Sequence, residues 1–371
     1  MSTGGIGATR AALDVVGRAP ELESAVGPLR PVRLAIVGLG RMGVAHAAIL
    51  SMMPEVTLVG AADSQPSAAR RLHGLGFRTP VYRTLDELLA RVPPDAVWVC
   101  TPPDSHLPVA RHCLEAGAAV FVEKPLAHSL DDARTLAALA RGAAPPVACG
   151  YALAFWPSFV AARQLLRAGV LGAPSRAASS MFLSQVSGPQ RGWMYDRVRA
   201  GGGVVANLAS HLLFLINWYF GVPTWVQATA RQIHTAVEDE LRASLVTPGC
   251  PEVSFEASWC VPGYPISLTT ITVEGPHGTL RVDNDGVVLD LEIPRCGIEA
   301  GRTILQGADL PQPATFLLNG EAFALEDAHV LRWVTGGPAP VVTTAEALEV
   351  QRVIAALYVS AAAGVGAAVP P

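Results

Sequence analysis

Six residues, Val32-Arg33-Leu34-Ala35-Ile36-Val37, make a short apolar run that ends in Gly38-Leu39-Gly40-Arg41-Met42-Gly43. The run reads as a buried strand, and the G-x-G-x-x-G turn at its end reads as the entry to a helix. This junction restricts the fold more than any other feature, because each glycine has its own steric task. Gly38 permits a tight turn, Gly40 lets the backbone approach a pyrophosphate, and Gly43 lets helix and strand pack closely. Arg41 and Met42 lie in the same turn, at the helix N-terminus, whose free N–H groups and positive dipole end attract an anion. In a chain with 35 glycines among 371 residues such a motif can arise by chance, so its context carries the weight. Asp63 stands 20 residues beyond Gly43, at the end of the next apolar run, Val56–Ala62, where a carboxylate accepts ribose hydroxyls. Asp63 would repel a 2′-phosphate. NAD is therefore favoured, with NADP left open by Arg70 and Arg71 close by.

The pattern then repeats. Helical spacing over Met42–Met53, Ser67–His73, Leu85–Arg91, Leu107–Ala116 and Leu130–Arg141 alternates with short strands at Val56–Ala62, Pro80–Tyr82, Ala96–Cys100, Ala119–Val122 and Val147–Gly150. Strands alternating with helices imply a parallel sheet covered on both faces, and right-handed crossovers make it a doubly wound Rossmann sheet. Ligands bind such sheets at the carboxyl ends of the strands, where Asp63, Thr101-Pro102-Pro103 and Glu123-Lys124-Pro125 fall.

Beyond Tyr151 the texture changes. Helices are expected at Ser158–Ala168, Val204–Phe220 and Ala345–Ala362, and β-rich runs at Trp225–Gln232, Arg242–Val246, Val253–Trp259, Leu268–Glu274, Thr279–Val282 and Val287–Ile293. That is an α+β unit with a large, mainly antiparallel open sheet. The expected division is a flexible leader over 1–30 with a short helix around Ala11–Val16, a dinucleotide-binding unit over 31–151, and a substrate and oligomerisation unit over 152–371.

Composition removes several classes. With 27 basic and 31 acidic side chains, no cationic excess exists to neutralise a phosphate backbone, so no nucleic-acid partner is expected. The six cysteines show no C-x-x-C spacing and form no zinc pattern with histidine. They read as reduced thiols of a cytoplasmic protein, and no metal is expected. Gly201–Ala230 carries no charged residue, yet its three glycines, Asn207, His211, Asn217 and Pro223 favour a buried helix over a membrane span.

The basic residues are 26 arginines and one lysine, Lys124. A guanidinium is a broad plane that stays charged, whereas an ammonium is compact, shifts its pKa on burial and donates to a single oxygen. A chain that uses lysine once, at a strand's carboxyl end, places it where arginine chemistry does not serve. Asn207 and His211, four apart, share one face of the helix that follows the glycine triplet. Arg191, Trp193 and Tyr195 precede the triplet and are candidates to face the cleft, with an ordinary surface loop as the other reading.

Taken together, Gly38–Gly43, Asp63, Thr101-Pro102 with His106, Glu123-Lys124-Pro125, Gly150-Tyr151, and Gly201–Gly203 with Asn207 and His211 resemble the glucose–fructose oxidoreductase / inositol dehydrogenase (Gfo/Idh/MocA) family, over about residues 31 to 360. The resemblance implies an N-terminal Rossmann domain for NAD(P), with Thr101, Pro102, His106, Glu123 and Lys124 bordering the cofactor. It implies a substrate site of Lys124, Tyr151, Asn207 and His211, with Lys124, Asn207 and His211 catalytic, to which the reading of the loop adds Arg191, Trp193 and Tyr195 as substrate contacts. Hydride would pass between nicotinamide and a secondary alcohol or ketone of a sugar, cyclitol or related molecule. The open sheet implies a homo-oligomer, a dimer or tetramer. Three departures stand out: Asn207 where the family pattern has Asp, Phe214 where Asp is frequent, and the apolar Ala152-Leu153-Ala154-Phe155-Trp156 after Tyr151. They suit a less polar substrate, or alternatively a cofactor-binding member without dehydrogenase activity, acting as a sensor or partner subunit.

Overall fold

Short strands buried on both faces need partners on both edges, and the chain supplies them by returning after each helix. The structure is a computed structural model that describes residues 4–17, 30–65, 67–141, 145–310 and 321–371. Helix α1 (Gly4–Val16) comes first, with Ala12 and Val16 buried and the helix packed against α7 (Pro157–Arg167) and β14 (Gly301–Gln306). This part of the expected leader is thus a packed helix; residues 1–3 and 18–29 lie outside the described residues.

The first sheet follows as β1 (Val32–Val37), α2 (Arg41–Ser51), β2 (Val56–Ala62), α3 (Ser67–Gly74), β3 (Val81–Tyr82), α4 (Leu85–Arg91), β4 (Ala96–Val99), α5 (His106–Glu115), β5 (Ala119–Val122), α6 (Leu130–Arg141) and β6 (Val147–Cys149). Its six strands are parallel in the order β3-β2-β1-β4-β5-β6. Strand β1 pairs with β2 on one side and β4 on the other, so a crevice opens between the carboxyl ends of β1 and β4. Main-chain bonds continue that edge: Cys100 N–H donates to Val37 (2.8 Å), Glu123 N–H to Val99 (2.9 Å) and Gly150 N–H to Val122 (2.9 Å). Gly38, Thr101, Lys124 and Tyr151 consequently stand in a row along one rim.

The second sheet uses β7 (Arg176–Phe182), then, after α8 (Arg197–Ala200) and α9 (Ser210–Phe220), β8 (Trp225–Arg231), β9 (Glu240–Thr247), β10 (Cys250–Ser258), β11 (Leu268–Gly275), β12 (Gly278–Asp283), β13 (Gly286–Leu291) and β14. Helices α10 (Glu321–Val334) and α11 (Thr344–Ala363) and the short β15 (Ala367–Ala368) end the chain. Its nine strands run β14-β13-β12-β11-β7-β10-β9-β8-β15, all antiparallel except β7 beside β10. Buried and exposed positions alternate along β12 and β14, as in a sheet with one solvated face. Helices α7, α9 and α11 cover the other. Five elements escaped the sequence reading: β7, α8, β14, α10 and β15. Helix α10 packs on α2, and α11 packs on α6, so the C-terminal helices also brace the first sheet.

Candidate active site

The glycine turn is shaped as its spacing predicts. Gly38 sits at φ 92°, and a Cβ there would meet the Cys100 carbonyl at 2.7 Å. A Cβ on Gly43 would lie 1.9 Å from the Gly38 oxygen, whereas one on Gly40 would meet nothing within 4 Å. Two glycines thus serve packing, and the third keeps an open cradle above the N-terminus of α2. Asp63 accepts the N–H of Leu39 through Oδ2 (2.7 Å) and that of Gln65 through Oδ1 (2.7 Å), which fixes its carboxylate against the turn. Thr101 Oγ1 on the same rim is buried and has no protein partner. An open phosphate cradle, an anchored carboxylate and an orphaned hydroxyl suit a dinucleotide.

His106 is wholly buried and spans the carbonyls of Thr101 (2.9 Å) and Pro125 (3.0 Å). It ties two rim loops together and does not itself line the cradle as expected. Burial keeps its pKa below the ordinary imidazole value, against the pull of those carbonyls. Glu123, also expected at the cofactor, turns inward. It is 7% exposed, with Oε1 3.0 Å from His46 Nε2 and Oε2 accepting the Lys124 amide at 3.0 Å.

Lys124 follows, joined to Pro125 by a cis peptide bond. Its Nζ donates to the main-chain carbonyl of Asn207. Burial lowers the Lys124 pKa, Glu123 draws it back up, and Arg41 pushes it down. Asn207 belongs to a π-helical turn, Val205–Ala209, just ahead of α9. Such wide turns recur at functional sites because they open the helix backbone to other partners. The turn is held from below by Glu238, whose Oε1 accepts the N–H of Gly203 (2.8 Å) and Val205 (3.2 Å) and the Tyr358 hydroxyl (2.7 Å). A Cβ on Gly203 would fall 2.1 Å from the Glu238 carbonyl, so this glycine serves backbone packing.

His211 lies at the start of α9. Burial first, and the Lys124 charge second, hold its pKa well below the ordinary value, and its Nδ1 is buried without a partner. It is therefore a neutral imidazole with a vacant nitrogen beside a cation. Its ring meets Tyr151 edge-on at 5.6 Å, and Tyr151 stacks on Phe214 at 5.2 Å. Tyr151 is 0% exposed, so it supports His211 from behind where a substrate contact was expected. Of the preceding loop, Arg191 is exposed, Trp193 half-buried, and Tyr195 packs edge-on against Trp259 at 5.5 Å while its hydroxyl meets Gln185 at 3.3 Å. Arg199 of α8 pairs with Asp104 at 3.0 Å, which holds this segment against the turn after β4. Among the described residues no group of three or more His, Cys, Asp or Glu is placed to hold a metal. One helical run, Arg197–Phe220, is long and apolar enough to cross a membrane, and 78% of its apolar window is buried inside the protein.

Sequence reading missed His46, Trp98, Glu326 and Asp327, which gather behind Lys124. Asp327 accepts from Trp98 Nε1 (2.8 Å) and lies 2.9 Å from His46 Nδ1. The faint signal was a pair of acidic residues inside an otherwise apolar stretch of α10.

A phosphate cradle and a ribose-reading carboxylate on one edge, with a lysine–imidazole pair beside them, define the class of nicotinamide-dependent oxidoreductases. Comparison with known proteins narrows the class. Residues 32–151 match the Gfo/Idh/MocA model described as an oxidoreductase family with an NAD-binding Rossmann fold, and residues 159–281 match the Gfo/Idh/MocA C-terminal domain. The chain belongs to this family. Inositol 2-dehydrogenase of Rhizobium meliloti (strain 1021) is 29% identical over 54% of this chain, a match that spans 58% of that relative's length. D-glucoside 3-dehydrogenase of Escherichia coli (strain K12) is 24% identical over 90% of this chain and 96% of its own. Levoglucosan dehydrogenase in complex with NADH and levoglucosan shares the fold, with a TM-score of 0.82 at 20% identity over 92% of this chain and 100% of its own. GenD2 from gentamicin A biosynthesis, in complex with NAD, is 29% identical with a TM-score of 0.77, over 92% of this chain and 97% of its own.

Proposed function

We propose that the protein transfers hydride between NAD, or NADP, and a secondary alcohol or ketone of a sugar, cyclitol or related, less polar small molecule. The reading rests above all on Lys124, held by the Asn207 carbonyl, with its charge bearing on a neutral His211 whose Nδ1 is vacant. The backbone of Gly38–Gly43, the Asp63 carboxylate, Thr101 and Pro102 hold the dinucleotide. When bound, the nicotinamide supplies the hydride donor or acceptor. Lys124 donates to the substrate oxygen and stabilises the negative charge that gathers there. His211 takes the hydroxyl proton in the oxidative direction and returns it in the reductive one. Asn207 orients the substrate, and Arg191, Trp193 and Tyr195 form its outer wall. Phe155 and Phe214, the apolar residues that motivate the less polar substrate, are buried behind this site and leave that preference resting on the sequence pattern.

Asn207 in place of Asp motivates the rival reading, a cofactor-binding sensor or partner subunit. A main-chain anchor for Lys124 weighs against it, because that carbonyl is present with either side chain. The solvated face of the second sheet supports a homo-oligomer, and six unpaired cysteines support a reducing, cytoplasmic setting. The test is nicotinamide absorbance against a polyol panel with Lys124→Ala alongside. Wild-type turnover that vanishes in the variant while NADH still binds is the expected outcome. Full turnover by the variant refutes the mechanism, and a silent wild type that binds NADH tightly favours the sensor.

A further inference from the structure

Behind the rim, four elements meet at one imidazole. His46 of α2 is 0% exposed, with Nε2 3.0 Å from Glu123 Oε1 on the β5 edge and Nδ1 2.9 Å from both carboxylate oxygens of Asp327 on α10. Asp327 Oδ1 also accepts from Trp98 of β4 at 2.8 Å, and Glu123 Oε2 accepts the main-chain N–H of Lys124 at 3.0 Å. Each carboxylate is already committed as an acceptor to another donor. With a carboxylate at each ring nitrogen, and each carboxylate accepting from a second donor, both nitrogens of His46 are placed to donate as those of an imidazolium do. Phe121 closes the site edge-on, its ring centroid 5.2 Å from that of His46, so little solvent screens these charges.

We propose that Asp327 and His46 are positioning residues that hold the Glu123 carboxylate ionised and fixed against Lys124, and thereby set how readily that ammonium gives up its proton. The first two links are direct contacts, Asp327 holding the proton on His46 and protonated His46 holding the charge on Glu123; Glu123, fixed by the main-chain N–H of Lys124, then acts on the ammonium through its charge. The directions agree. Burial would lower His46, but Asp327 and Glu123 outweigh it and hold the imidazole well above its ordinary value. Burial would raise Glu123, but His46 and then Lys124 hold it below. The other groups facing the network are Glu326 on α10 and Cys100 after β4, both kept neutral by burial and the surrounding carboxylates. Around Lys124 they are Arg41 on α2, Cys149 of β6 and His211 on α9. Arg41 opposes the ammonium, so the Glu123 charge is the principal group favouring it. The inference deepens the proposed catalytic role of Lys124 and explains why α10 crosses back onto the first sheet.

The single lysine makes the test direct. Biosynthetic [13C,15N]lysine labelling of the full chain gives one side-chain NMR signal, which is titrated without substrate or cofactor. The wild-type midpoint should fall below the ordinary lysine value of about 10.4. Glu123→Gln should lower it by about one further pH unit or more, and Asp327→Asn should lower it in the same direction by less. A midpoint unmoved or raised in both folded variants overturns the proposal. If neither variant folds, histidine 15N shifts of the wild type decide. One of the nine histidines must stay protonated on both nitrogens well above pH ~6.5, and its absence overturns the proposal equally. Because neither readout needs turnover, an inactive enzyme with the expected midpoints would defeat the functional reading and leave this one standing.

Discussion

The Lys124 ammonium is held by the main-chain oxygen of Asn207 and not by its side chain. The substitution of Asn for the family's Asp therefore leaves the anchor of the reacting cation in place. On the proposed mechanism Asn207→Ala removes a side-chain hydrogen bond to substrate worth about 1 kcal/mol, so kcat/KM should drop less than about tenfold. Lys124→Ala removes charge stabilisation and should lower it by about 10²–10⁴-fold, with NADH affinity little changed. Steady-state kinetics with parallel NADH titrations measure both. Equal losses in the two variants would mean that the side chain of Asn207 carries the chemistry.

His211 gives a pH dependence with a definite sign. Its folded pKa is depressed by burial and by Lys124, while the unfolded chain titrates near 6.5. Between those values the unfolded state binds the extra proton, so stability is full above about pH 6.5 and is lost as pH falls toward the folded value. His211→Asn should flatten this acid-side loss in urea unfolding midpoints. The opposite holds for His46, whose raised pKa contributes stability below about pH 6.5 that is lost as pH rises through the folded value. An unchanged acid slope in His211→Asn would show that the imidazole is not buried neutral.

The glycine turn separates folding from binding. A methyl on Gly40 enters open space, whereas one on Gly43 collides with the Gly38 carbonyl. Gly40→Ala should melt within a few degrees of wild type and bind NADH at least about tenfold more weakly, by blocking the phosphate approach. Gly43→Ala should destabilise the fold by about 1–3 kcal/mol or more. Thermal melts and NADH titration distinguish them. Wild-type affinity in Gly40→Ala would move the phosphate elsewhere.

What the sequence displayed follows from where side chains go. β4 and β5 are buried at every position and β1 at all but one, so their apolar runs were plain, and the glycine turn fell at the carboxyl end of β1 and Lys124 at that of β5. β7 lies at the middle of the second sheet, yet its buried positions are Ala177, Ser179 and Met181, too small or polar to read as a strand. α10 was hidden for a functional reason. Its inner face carries the buried Glu326 and Asp327, which break the apolar period, and Asp327 meets His46 and Trp98 in place of a hydrophobic wall. The inward turn of Glu123 and the burial of Tyr151 depend on contacts distant in sequence, and spacing holds no record of them.

Glu238 and Asp239 are adjacent carboxylates with opposite needs. Asp239 accepts the N–H groups of Ile233 (2.6 Å), His234 (2.7 Å) and Thr235 (3.1 Å), the Trp259 indole (2.6 Å) and the Thr235 hydroxyl (2.8 Å). Burial would raise its pKa, but these donors outweigh it and hold it below the ordinary value. Burial raises Glu238, which accepts three bonds on Oε1 and has no partner at Oε2. Glu238→Gln keeps the accepting oxygen and should cost less than about 1 kcal/mol, with the π turn and activity retained. Asp239→Asn turns an amide toward donors and should cost about 3 kcal/mol. The Asp239 contribution is present above its unfolded pKa and lost as pH falls through the folded one. Denaturant midpoints at neutral and acid pH test the pair. A larger loss in Glu238→Gln than in Asp239→Asn would mean that Glu238 is ionised and bears the charge at the base of the turn that carries Asn207.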